Sequence, residues 1–215
     1  GPGGKGFNQA MAARRAGAET VFICSLGEDA AGQLARALAN ADGIDLRDEA
    51  SLEPTGTAGI FVDDEGRNCI VIGPGANATL SPAHVEEQSE VIGGAGALLA
   101  QLESPIDAVA AALRIARAAS VPTLLNPAPA NAATTRELLA LADIITPNET
   151  EFAALVARHT AMAIPAHAVA PAGDEALHVL CRTLHPTGSV VITLGAMGSF
   201  ISHADGDMRG DAALH

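Results

Sequence analysis

Basic residues are scarce in this 215-residue chain: 12 Lys and Arg stand against 25 Asp and Glu, a formal net charge of −13 at pH 7. Such a field repels a phosphate backbone and an anionic membrane face, which excludes nucleic acid and acidic lipid as first partners. An anionic small molecule has to be held by local backbone N–H groups, a helix start, a metal or a single Lys. Cysteine is equally sparse. Cys24, Cys69 and Cys181 are odd in number, far apart and in no C-x-x-C pair, which excludes a disulfide framework and predicts a reduced, cytoplasmic setting. The histidines at 84, 159, 167, 178, 185, 203 and 215 make no His-x-x-x-His pair and no Cys/His cluster, so zinc has no spacing behind it. No apolar run reaches the roughly 18 residues a membrane span needs, and no basic-then-apolar leader is seen. The expectation is a soluble protein with neither a membrane nor a nucleic-acid partner.

What is present is apolar: 48% of residues are hydrophobic, and 22 Gly and 12 Pro are spread without a short repeat, which excludes collagen and disordered low-complexity chains. A chain of this size buries roughly 70% of its unfolded surface, enough for one domain with a core of its own. The sequence opens at Gly1 rather than Met and stops soon after the turn-like Asp205-Gly206-Asp207. It is therefore expected to be a fragment, an incomplete single domain over 1–215.

Residues 20–25, an apolar β-branched run between Gly17 and Gly27, predict a buried strand. Residues 8–15 predict a helix, and 30–41 repeat apolar residues at helical spacing before Gly43, which suits a left-handed cap. Residues 57–62 and 69–72 flank Asp63-Asp64-Glu65-Gly66 and predict an antiparallel hairpin within about 55–72. Beyond Pro82 the pattern alternates: strand 97–102, helix 106–119, strand 121–125, helix 134–141, strand 143–146, helix 149–158. Residues 159–173, rich in Ala with Pro165 and Pro171, read as a loop before helix 174–184 and strand 189–194. Such alternation demands right-handed crossovers and a mostly parallel sheet covered by helices, an α/β/α arrangement in three layers. Ligands in open sheets of this kind bind outside the carboxyl ends of the strands, which singles out the residues just after 102, 125, 146 and 194.

The opening Gly1-Pro2-Gly3-Gly4-Lys5-Gly6 fits G-x-G-x-x-G, with Glu28 or Asp29 about 20 residues on, as a dinucleotide site wants; a flexible terminus fits equally. It is not a P-loop, because Gly6 rather than Ser or Thr follows Lys5. The helix that starts directly afterwards offers unsatisfied N–H donors beside Lys5 and Asn8, an arrangement suited to hydroxyls. Glu103, just past a strand, reads either as an acceptor for a polyol or as a solvated carboxylate near a helix start. Asn126-Pro127-Ala128-Pro129 reads as a rigid exit turn. The run Thr146-Pro147-Asn148-Glu149-Thr150-Glu151 reads both as a helix cap and as a place where a carboxylate holds Mg²⁺-bound water. Thr193 leads into Leu194-Gly195-Ala196-Met197-Gly198, where a flat ring or phosphates could lie against bare backbone, or where a plain turn leads into 199–202.

In their order, the segments Gly3 to Ala10, Gln101 to Pro105, Asn126 to Ala130, Thr146 to Glu151 and Thr193 to Gly198 resemble the ribokinase-like sugar kinases, the PfkB carbohydrate-kinase family that also holds fructokinases and adenosine kinases. The resemblance implies a ribokinase-like α/β fold with a small β lid, the hairpin near 55–72, through which a homodimer could form. It implies transfer of the γ-phosphoryl of ATP to a sugar hydroxymethyl, most closely that of D-ribose, with Mg²⁺ and usually K⁺. Gly4, Lys5, Gly6, Asn8 and Glu103 would hold the sugar. Asn148, Thr193, Gly195 and Gly198 would contact ATP, and Glu151 the Mg²⁺ water shell. The family's Asp-Thr-x-Gly-Ala-Gly-Asp segment, which carries its catalytic aspartate, does not occur in these residues. No catalytic base is therefore assigned, and these residues alone are expected to be inactive. Phe7 stands where the family commonly has a small residue. The open alternatives are another sugar or nucleoside kinase of this fold, a nicotinamide-dependent dehydrogenase, and a non-catalytic sugar- or nucleotide-binding module.

Overall fold

A computed structural model describes residues 3–62, 64–65, 68–130 and 134–210. Gly1 and Pro2 of the opening glycine motif and Asp63 and Gly66 of the hairpin turn lie outside the described residues. The chain divides into two compact units, Gly1–Glu87 with Glu103–Ala108, and Gln88–Leu102 with Val109–His215.

In the first unit, α1 (Lys5–Arg15) begins inside the glycine run, earlier than the helix predicted at 8–15. Gly4, at φ 93°, turns the chain straight into the helix, a conformation open to a residue without Cβ. Next comes a βαβ unit: β1 (Val21–Gly27), α2 (Ala30–Ala41) and β2 (Asp45–Ser51), the two strands pairing in parallel. β1 runs two residues past the predicted strand, and Gly43 at φ 71° supplies the left-handed position expected after α2. The β2 strand was not legible, because Asp-Leu-Arg-Asp-Glu-Ala-Ser has almost no apolar alternation; pairing with β1 extends it. Ala10, Ala39 and Ile44 form the small core here, with Phe7, Met11, Phe22 and Leu46 packed against it. Phe7 meets Phe22 edge to face at 6.2 Å between ring centres, so the large residue in the glycine segment is used for packing. The predicted hairpin is present as β3 (Thr57–Val62) antiparallel to β4 (Asn68–Gly73), and every β3 side chain is exposed. A 3₁₀ turn at Gly75–Thr79 and α3 (Pro82–Glu87) follow.

The second unit opens with α4 (Ser89–Gly93) and is built on a six-stranded sheet of order β10-β9-β8-β7-β6-β5. β5 (Leu98–Ala100), β6 (Thr123–Leu125), β7 (Ile144–Ile145) and β8 (Ser189–Thr193) run parallel; β9 (Ser199–His203) and β10 (Gly206–Gly210) complete it antiparallel. α5 (Ile106–Ala118), α6 (Arg136–Leu139), α7 (Glu149–His159), α8 (Ala166–Val169) and α9 (Asp174–Leu184) connect the strands. α6 is shorter than the predicted 134–141, and the stretch predicted as a loop at 159–173 contains α8, whose Val169 is fully buried. The core comprises Leu113, Leu125, Ile145, Phe152, Val190 and Phe200, each fully buried and each worth about 1.5–3 kcal/mol. The expected α/β class, with a mostly parallel sheet, is borne out.

Candidate functional site

The start of α1 has no side-chain cap of its own, because Gly4 occupies the N-cap position. A helix start leaves N–H groups without partners, and a carboxylate there also meets the positive end of the helix dipole. Glu103 answers both needs from far along the chain: its Oε2 accepts from the Lys5 N–H at 2.6 Å across 98 residues of sequence. A Cβ built on Gly4 would lie 3.5 Å from the same oxygen, so the glycine lets the carboxylate come close. Glu103 is thus a helix-start carboxylate, but for α1 rather than for α5, which follows it in sequence. Asn8 closes the first turn by donating its N–H to Gly4 O at 3.0 Å, and its side chain is exposed. Gly6 is the second residue of α1. Gly4, Lys5, Gly6, Asn8 and Glu103 therefore form one polar patch in the first unit.

In the second unit, the start of α7 is capped from within. Asn148 Oδ1 accepts from the Glu151 N–H at 2.8 Å, and Glu151 Oε2 accepts from the Asn148 N–H at 3.0 Å, a complete capping box. Glu151 is only 6% exposed, so this cap fixes its carboxylate. The end of β8 lies alongside. The Thr193 N–H donates to Pro147 O at 3.0 Å, and Asn148 and Thr193 form an isolated parallel bridge. From there the chain makes a 3₁₀ turn at Gly195–Met197, closed by Leu194 N–H donating to Gly198 O at 2.8 Å. Gly195 at φ 53° and Gly198 at φ 86° both need the left-handed region, and a Cβ on Gly195 would lie 3.8 Å from Glu149 Oε1. Asn148, Glu151, Thr193, Gly195 and Gly198 are thus brought together at the carboxyl ends of parallel strands.

Two stitches extend this edge. Asn126 Nδ2 donates to Thr146 O at 2.7 Å, and the Leu102 N–H donates to Ala128 O at 3.0 Å. The segment Asn126 to Pro129 is therefore more than an exit turn: it ties the loops after β5, β6 and β7. Sequence spacing held no sign of the Asn126 contact, because its acceptor is a main-chain carbonyl 20 residues away.

Asp29, one of the two acids considered for a dinucleotide ribose, is engaged otherwise. Its carboxylate caps α2 and holds Thr55, while Glu28 pairs with Arg36 at 3.0 Å. Both acids considered for that role thus already have partners within the first unit. Hydrogen bonds from Gly32 N–H and from Thr55 hold the Asp29 carboxyl below the usual carboxylate range. Burial, with the nearby Asp48 charge, pushes the Cys24 thiol up to about 12, which disfavours its thiolate. No group of three or more His, Cys, Asp or Glu side chains among the described residues is arranged to hold a metal, and no helix among them is long and apolar enough to cross a membrane.

The model of the pfkB family carbohydrate kinases matches residues 1–213. Ribokinase of Haemophilus influenzae is 40% identical over 204 residues, covering 93% of this chain and 63% of that protein. The bifunctional ribokinase/ribose-5-phosphate isomerase A of Fructilactobacillus sanfranciscensis is 40% identical over 209 residues, covering 94% of this chain and 36% of that protein. The structure of Arabidopsis thaliana ribokinase complexed with ribose and ATP superposes with a TM-score of 0.82 at 28% identity, covering 98% of this chain and 67% of that one. The chain thus spans less than two thirds of the length of these two curated relatives. A match along nearly its whole length, on a fold and loop edge of the expected kind, shows that this chain belongs to the pfkB family of carbohydrate kinases.

Proposed function

We propose that the protein carrying this sequence transfers a phosphoryl group from ATP to the hydroxymethyl group of a sugar, with D-ribose the preferred acceptor. The observation that carries this reading is the bond between the Lys5 N–H and Glu103, which fixes a carboxylate beside Asn8 and the glycines before any hydroxyl arrives. Prepositioned donors and acceptors of this kind suit a polyol and lower the entropy cost of orienting it. Similarity to the H. influenzae ribokinase supports ribose over other sugars.

The nucleotide belongs, on this reading, to the edge formed by Asn148, Thr193, Gly195 and Gly198. The fit rests on the two positive-φ glycines, which leave the backbone at both ends of the turn without side chains where a flat ring or phosphate could approach. When bound, ATP supplies the phosphoryl group that is transferred. Glu151, held by the Asn148 N–H, presents an oxygen ligand of the type Mg²⁺ prefers and would orient a metal-bound water. K⁺ is assigned as the activator by resemblance alone, and no residue is assigned to it. The hairpin β3–β4 would act as the lid, excluding water when it closes. Its exposed Ile60, Phe61, Val62, Val71 and Ile72 would pair with the same ribbon of a second copy in a homodimer. The three cysteines, none of which forms a disulfide, suit a reducing cytoplasm.

No residue of this chain is assigned as the catalytic base. The 215 residues by themselves are expected to show no turnover in an assay coupled to ADP release, while the complete gene product phosphorylates ribose fastest in a panel of sugars and nucleosides. A complete product that turns over adenosine or fructose faster than ribose would refute the substrate assignment. Turnover by the 215 residues at the rate of the complete product would refute the absence of the base.

A further inference from the structure

The base of the β3–β4 hairpin is held far more tightly than the hairpin itself. Asp29 Oδ1 accepts from the Gly32 N–H at 2.8 Å, an ordinary N-cap for α2, and also from Thr55 Oγ1 at 2.7 Å. Its other oxygen, Oδ2, accepts from the Thr55 N–H at 2.8 Å. Thr55 Oγ1 in turn accepts from the Gly27 N–H at 3.1 Å. One carboxylate thereby joins the end of β1, the start of α2 and the first foot of the hairpin. The packing leaves no room for a side chain: a Cβ on Gly27 would fall 2.6 Å from Thr55 N and 2.7 Å from Glu53 O.

The second foot is pinned to the first. The Ala76 N–H donates to Pro54 O at 2.8 Å, and a Cβ on Gly56 would fall 2.6 Å from Pro74 O. Gly75, at φ 48°, lies so close to Pro54 O that a Cβ there would collide with it. Beyond these feet the situation reverses. All of β3 is exposed, as are Val71 and Ile72 of β4. A lone two-stranded ribbon is marginal in water, so where it points depends on what holds its feet.

We propose that Asp29 is a positioning residue for the sugar-kinase reaction: through Thr55 it fixes the foot of the hairpin, confining the movement of the ribbon to the residues beyond Gly56 and Gly73. The reaction role rests on the reading of the hairpin as a lid. Capping α2 does not by itself require Asp, since Ser, Thr or Asn serves as well. The second acceptor, facing the Thr55 N–H, does require it. Ser has no second oxygen, and Asn brings either its only oxygen or an NH₂ group to that place. The carboxylate is thus matched to the hairpin foot rather than to the helix.

The test uses the complete gene product and the variants Asp29→Ser, which keeps a helix cap, Thr55→Val, which leaves the Asp29 cap in place, and the double variant. Amide hydrogen exchange is followed in 57–62 and 68–73, in α2 and in the β5–β8 sheet, alongside ribose phosphorylation and total ATP hydrolysis. The expected result is exchange at least tenfold faster in the hairpin for each single variant, with α2 and the sheet within twofold of the parent. The double variant should be no faster than the singles. ATP hydrolysed per sugar phosphorylated should rise severalfold, because a loosely held ribbon excludes water poorly. Unchanged hairpin exchange, or an increase shared equally by α2, would overturn the proposal. So would failure of both single variants to fold, since the contact would then hold the core. The exchange readout needs no catalysis, so an inactive parent protein would sink the kinase reading while leaving the anchoring result decisive.

Discussion

The starts of α1 and α7 solve one problem in two ways. Each presents backbone N–H groups at a candidate ligand edge, and each uses a glutamate carboxylate. At α7 the glutamate is three residues from its cap, in Asn148-Glu149-Thr150-Glu151, and the box closes as soon as the helix turns. At α1 the cap position is a glycine, and the carboxylate arrives from Glu103, 98 residues away. The local cap is independent of the rest of the fold, whereas the distant one exists only when the tertiary structure does. The distant arrangement leaves the glycine backbone bare, as the proposed sugar-holding role requires.

The largest expected effect is on the distant cap. Glu103→Ala removes a charge-assisted hydrogen bond worth about 1.5–3 kcal/mol and, on the proposed function, an acceptor for the sugar. Ribose affinity of the complete protein, measured by calorimetry, should fall about 10- to 100-fold; an unchanged affinity would break the comparison at its functional end. The local cap is worth less. Asn148→Ala should cost about 1 kcal/mol, lowering the unfolding midpoint by about 2–4 °C, while Asn148→Asp should be nearly neutral. Thermal unfolding of both variants decides this, and a midpoint that Asn148→Ala leaves untouched would mean that the box contributes nothing.

A third prediction concerns acid. His185 is 2% exposed and its Nε2 has no partner. Burial, aided by the Arg182 charge, lowers its pKa despite a bond to the Ala142 backbone, and burial lowers that of His159 as well. A depressed folded pKa means that the unfolded chain binds the proton more readily. Stability is therefore full above the ordinary histidine value of about 6.5 and is lost as pH falls below it. Asp29 and Asp143 titrate lower. At Asp143, burial is outweighed by the bonds from Thr123 and by Arg117; at Asp29, the bonds from Gly32 and Thr55 dominate. Both carboxyls add a second loss below about pH 4. Unfolding midpoints from pH 8 to 3 should fall in two steps; a flat profile between pH 7 and 5 would remove the histidine contribution.

The smallest effect sharpens the contrast most directly. A peptide spanning 146–160, which keeps its capping box, should show weak but measurable helicity by circular dichroism, and one spanning 3–17 should show less. Equal helicity would mean that α1 does not need its distant carboxylate to start.

Legibility followed the same division. The α7 cap, the hairpin and the strand–helix alternation could be read because their signals lie within a few residues: Asn148 to Glu151, the turn between 62 and 68, the apolar period of 174–184. β2 could not, since its charged sequence becomes a strand only through its register with β1. The early start of α1 was hidden because glycine carries no helix signal, and the contact of Asp29 with Thr55 because nothing in a sequence marks which threonine a capping acid will also reach. The Gly188 position shows this again: it looks like a turn glycine, yet a Cβ there would strike the His185 ring.

By itself the sequence determined the α/β class, the order of the candidate ligand loops and the residue types in each, because hydrophobic period and cap spacing are local properties of a chain. Only the tertiary structure decided which carboxylate serves which helix: Glu103 for α1, Glu151 for its own α7, Asp29 for α2 and Thr55 together. A hydrogen bond depends on distance in space, and separation along the chain sets only the entropy of closing the loop, which grows too slowly with length to favour one distant partner over another.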